Sequence, residues 1–85
     1  MFAELSPDKK SYVCGNELVP RADIVARFPG LEGRGEDVRG ALASAYRTVH
    51  GCEVSHNDLH AYYMAYMDTE RKLPEWVCKI FCKSQ

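Results

Sequence analysis

Val38, Ala41, Leu42, Ala45, Tyr46 and Val49 fall at i, i+3, i+4, i+7, i+8 and i+11. That spacing keeps one stripe of a helix apolar and predicts a helix from about Glu36 to His50. Glu36 and Asp37 in its first turn and His50 in its last suit the helix dipole, and Gly51 is a natural stop. After the Cys52-Glu53-Val54 connection, Ser55 is a good N-cap. Asp58 three residues on forms a variant of the capping box. The helix that follows is expected to run to about Lys72.

This second helix has a different pattern. Across Leu59 to Met67 (LHAYYMAYM) only His60 is clearly polar, and Tyr62, Tyr63 and Tyr66 fall within five positions. A helix with that much apolar surface cannot rest on a globule with one side fully in water. It is either the centre of a small core or a helix that also meets a partner. On a helical wheel Leu59, Tyr62, Tyr63 and Tyr66 span a wide face, with Tyr63 near its middle, while Ala61 and Met64 point away.

The flanks are shorter. Ser6-Pro7-Asp8 is a turn signal. Ser11 to Cys14 is a β-prone run, Gly15-Asn16 suits a two-residue hairpin loop, and Glu17 to Val19 would return. Pro20 suits the first turn of a helix carrying Ile24, Val25 and Phe28, which should end before Pro29-Gly30. Leu31 is expected to anchor the loop after it, and Glu32-Gly33-Arg34-Gly35 to be its most mobile part. Pro74 begins a last helix, Glu75 to about Lys83, with Trp76, Val77, Ile80 and Phe81 on its apolar face. The expected fold is α+β and mainly helical. A short N-terminal β-hairpin or extended segment precedes a cluster of four helices, in one domain spanning 1–85.

Composition narrows the function classes. A hydrophobic content of 46% argues against disorder. The net charge is −1, and the signs are mixed: residues 1–50 carry seven of each, residues 51–85 four basic and five acidic. Neither half attracts nucleic acid or anionic lipid strongly. No run approaches the roughly 18 apolar residues of a membrane span, and no signal peptide is visible, so a cytoplasmic protein is expected. Its four cysteines would then be thiols.

Four constellations of residues could carry chemistry. His56 with His60, and Cys78 with Cys82, are i, i+4 pairs with metal-ligand character. If the last two helices form a hairpin turning near Lys72-Leu73, however, the histidines lie roughly 5–10 Å past the cysteines at about 1.5 Å per residue. Only Cys82 and His60 would meet, so neither a metal nor any other cofactor is implied. His56-Asn57-Asp58-Leu59-His60 crowds two histidines around a carboxylate, yet Asp58 has its use at the helix start, and no second carboxylate cluster or phosphate loop accompanies it. The two central helices have a helix-turn-helix outline. The outward positions His56, Asn57, Ala61 and Asp68 nevertheless include no cation for phosphates.

The fourth constellation is an interface. Five tyrosines and one tryptophan are many for such a chain, and these residues anchor interfaces. The expected function is a non-enzymatic protein-interaction module that acts by covering a surface. Its candidate anchors are those of Tyr62, Tyr63 and Tyr66 that the core leaves uncovered, with Met64 beside them, and Arg34 on a polar rim. Small, near-neutral, aromatic-rich proteins of this kind include adaptors and the inhibitors with which phages and other mobile elements block host machinery. The partner is expected to be a protein, with a homodimer among the candidates. The alternatives are a helix-turn-helix regulator and a zinc-stabilised domain.

Overall fold

The computed structural model describes residues 2–81. Four strands, β1 (Phe2–Leu5), β2 (Ser11–Cys14), β3 (Glu17–Pro20) and β4 (Leu73–Pro74), form an antiparallel sheet in the order β3-β2-β1-β4. Helices α1 (Arg21–Arg27), α2 (Glu36–His50), α3 (His56–Met67) and α4 (Glu75–Lys79) complete the fold, with a 3-10 turn at Pro29–Glu32 between α1 and α2. Among the described residues no helix is long and apolar enough to cross a membrane.

The hairpin forms where the sequence predicts it. Gly15 supplies a left-handed residue at φ 63 in the turn, and Tyr12 pairs with Val19 across β2 and β3. Period-two alternation then turns Tyr12, Cys14 and Val19 inward and leaves Val13 and Leu18 outward. The hairpin is part of a larger sheet, because β1 and β4 join it. Phe2 pairs with Pro74 and Ala3 with Leu73. Proline is tolerated there because β4 is an edge strand.

The central helices also differ in extent and place. α2 spans Glu36–His50 and ends on Gly51 in the left-handed region at φ 72. Ser55 caps α3, its Oγ accepting the Asp58 N–H at 3.2 Å. But α3 stops at Met67, not near Lys72. Asp68 is extended, its Oδ1 takes the Thr69 N–H at 2.8 Å, and Arg71 is left-handed at φ 51. A short polar side chain that bonds nearby backbone competes with helix continuation. The chain then returns to the sheet as β4, so α3 and α4 do not form the expected helical hairpin. The expectation of a last helix reaching Lys83 lies partly outside the described residues; α4 itself ends at Lys79.

The middle of the molecule is α4, not α3. Val77 and Cys78 are completely buried, and α4 touches β1, β2 and β4 on one side and α2 on the other. Tyr12, Leu73, Val38 and Leu42 belong to the same buried cluster as Val77 and Cys78. From α3 only Tyr66 is buried. Its other apolar residues lie at the margin of the core or outside it.

Candidate functional site

Helix geometry sorts the α3 tyrosines. At about 100° per residue, Tyr66 projects between Tyr62 and Tyr63, roughly 40° from the one and 60° from the other. Tyr66 points inward and is 1% exposed; its hydroxyl donates to the Leu31 carbonyl at 2.8 Å and accepts from Arg21 Nη2 at 3.2 Å. It is therefore not available as an interface anchor, which corrects the reading from the sequence. Tyr62 and Tyr63 remain half-buried, on opposite flanks of it. Met64 projects away from the core and is 55% exposed.

On the Tyr62 flank four elements bring their rings together. Tyr46 and His50 stack along α2 with centroids 4.2 Å apart. Trp76 meets Tyr46, His50 and Tyr62 edge-on, each at 5.4 Å, and Phe2 of β1 approaches Tyr62 at 6.3 Å. Such edge-to-face contacts are the favoured arrangement of aromatic pairs. None of the five residues is fully buried, and Phe2 and His50 are exposed. Loss of hydration beside these neighbours raises the Tyr46 hydroxyl above its ordinary range. In the sequence, Tyr46 and Trp76 read as core residues. The one local signal of the cluster was the i, i+4 spacing of Tyr46 and His50, which puts both on one helix face.

On the Tyr63 flank lies a groove of about 830 Å³. Tyr63 lines it with Arg39 stacked on its ring at 4.7 Å, and Leu5, Leu31 and Met67 add apolar surface. Arg34 lines the same groove, so Tyr63 and Arg34 do meet at one site. The remaining charges are Lys9, Arg21 and Arg71 against Glu32 and Asp68. Arg21 pairs with Glu32 at 3.7 Å. Lys9, Arg34 and Arg71 form no ion pair among the described residues.

Two turns hold Lys9 and Arg71 in place. The Lys9 N–H donates to the Ser6 carbonyl at 2.8 Å, in a turn tied by Asp8, whose carboxylate takes bonds from the Ser6 hydroxyl and the Lys10 N–H. Those bonds hold the Asp8 carboxyl below its ordinary value. A depressed folded value contributes stability above the ordinary carboxylate range and loses it as pH falls through the folded value. An acid titration followed by NMR is therefore expected to move the Lys10 amide with Asp8 protonation; an unmoved amide would refute the turn's dependence on that carboxylate. At the other turn, the Arg71 carbonyl accepts the buried Tyr12 hydroxyl at 2.7 Å. Burial pushes the Tyr12 phenol well above its ordinary range, so it stays a neutral donor.

Compared with family models, with curated proteins and with solved structures, the chain matches none.

The two ligand pairs read from the sequence are not assembled into a metal site by the described residues. His56 and His60 are exposed on α3, Cys78 is buried within the core, and Cys82 lies outside the described residues. Among those described, no three of His, Cys, Asp and Glu converge as a metal would require.

Proposed function

We propose that this chain is a non-enzymatic protein-interaction module. It works by covering a partner's surface with the aromatic face of Phe2, Tyr46, His50, Tyr62 and Trp76. The observation that carries the reading is that face: five rings from four elements packed against one another, most of them edge-on, yet incompletely buried. Large, preorganised aromatic side chains are what concentrate binding energy in interfaces. A module of this kind would act as an inhibitor or adaptor in the cytoplasm. The interaction reading is favoured over a helix-turn-helix regulator because the exposed side chains of α3, among them His56, Asn57, His60 and Met64, include no lysine or arginine.

Affinity capture with mass spectrometry is the test, followed by titration of the recovered partner. One protein or one complex is expected to dominate. Tyr46→Ala and Tyr62→Ala should each weaken binding by about 2 kcal/mol or more, roughly thirtyfold, while circular dichroism shows a folded chain. Affinity should change by less than about tenfold between low and high salt. A loss of about a thousandfold, as when many phosphate contacts are screened, would instead identify a nucleic-acid binder.

A further inference from the structure

The chain carries a net charge of −1, yet the groove beside Tyr63 gathers four basic side chains against two carboxylates. Folding has segregated charges that alternate along the sequence. With Arg21 matched to Glu32, Asp68 is the other carboxylate among the lining residues, Asp8 is tied into the Lys9 turn and Asp37 stands beside Gly33; Lys9, Arg34 and Arg71 form no ion pair among the described residues. Gathering like charges without counter-charges costs folding energy, and a ligand of opposite sign relieves that cost.

The backbone carries a second, independent sign. Among the described residues only Lys9 (φ 63) and Arg71 (φ 51) have a side chain at positive φ, and both line this groove. The left-handed region is strained for a residue with a Cβ, a strain that glycine avoids. At both positions a long cation stands where the backbone favours glycine. Non-glycine residues held in this region cluster at ligand clamps.

We infer that the groove binds an acidic segment of a partner protein, one whose carboxylates alternate with apolar side chains. The carboxylates would meet Lys9, Arg34 and Arg71, and the apolar side chains would lie on Leu5, Tyr63 and Met67. The volume is within the roughly 300–1,000 Å³ of ligand clefts. A nucleic-acid strand fits less well, because Glu32 and Asp68 would repel a continuous phosphate backbone. The inference rests on the protein-interaction reading and adds the chemistry of a second contact to it.

Chemical-shift mapping with end-blocked model peptides tests it. The probes are a short peptide alternating glutamate with leucine, its glutamine-leucine counterpart, and a single-stranded oligodeoxynucleotide. The glutamate peptide is expected to move the amides of Gly33, Arg34, Gly35 and Arg71. The glutamine peptide should bind at least about tenfold more weakly, as should the glutamate peptide to the Lys9→Gly/Arg71→Gly double variant. Because glycine suits both backbone positions, that variant should melt no lower than the parent, so weaker binding cannot be ascribed to unfolding. Equal binding of the two peptides, shifts confined to the aromatic face, tighter binding of the oligonucleotide, or no shifts at all would overturn the proposal. The captured partner separates the two readings. Full affinity for the double variant with loss for Tyr62→Ala sinks the groove and leaves the aromatic face standing. Full affinity for both variants sinks the interaction reading itself.

Discussion

Tyr66→Ala is expected to be the most destabilising single change on α3. Truncating a buried aromatic costs about 3–5 kcal/mol. A chain of 85 residues has on the order of 4–13 kcal/mol in all, at about 0.05–0.15 kcal/mol per residue. The hydroxyl adds to the loss, because it links three parts of the fold. It donates to Leu31 of the 3-10 turn, accepts from Arg21 of α1, and belongs to α3. Tyr66→Phe isolates that share and should cost about 1–3 kcal/mol, the penalty for leaving a buried acceptor unmet. Tyr63→Ala should cost less, about 1–2 kcal/mol, since Tyr63 is only half-buried and gives up partial burial and its contact with Arg39. Ala61→Ser, on the exposed side, should stay within about 0.5 kcal/mol. Urea unfolding of the four variants gives the ranking. A Tyr63→Ala variant less stable than Tyr66→Ala would mean that Tyr63, and not Tyr66, fills the core. Leu31 leads directly into Gly33–Gly35 of the groove, so Tyr66→Phe should also weaken acidic-peptide binding if the loop loosens.

Two glycine-to-alanine changes should move stability in opposite directions. Gly30 lies in the 3-10 turn where it crosses α2. A Cβ there would overlap the Asp37 carbonyl oxygen and come within 3.2 Å of the Ala41 Cβ. The first of these obstacles is backbone, so no side-chain rotation relieves it and the turn must lift from α2. Overpacking of this kind costs about 1–3 kcal/mol, which lowers the melting temperature by about 4–8 °C for each kcal/mol in a domain of this size. Gly40, inside α2, is exposed, and a Cβ there meets nothing within 4 Å. Gly40→Ala should therefore stabilise by about 0.5–1 kcal/mol through helix propensity alone. Melting curves decide it. Destabilisation by both changes would show that the outer face of α2 is not open, and a neutral Gly30→Ala that the turn has room to move.

Local patterns in the chain determined the parts that short-range physics governs. The stripe Val38–Val49 made α2, with Gly51 ending it. Ser55 began α3, and β-prone runs around Gly15-Asn16 made the hairpin. In each case the interacting groups lie within a few residues, so spacing reports the contact. The all-round apolarity of α3 was equally plain, but periodicity tells which residues share a face only when another face is polar. Which of Tyr62, Tyr63 and Tyr66 is buried depended on where α1, α2 and β4 stand around the helix. Tertiary structure also decided the β1–β4 pairing, because strands of four and two residues from opposite ends of the chain have too little local signal to announce each other. That pairing places α4 at the centre and sets Phe2 and Trp76 beside Tyr62. Charge followed the same rule. Lys9, Arg34 and Arg71 are far apart and evenly offset by acids along the chain, and only the packed turns bring them to one groove. Electrostatic attraction acts through space, so the sequence average near zero left no sign of it.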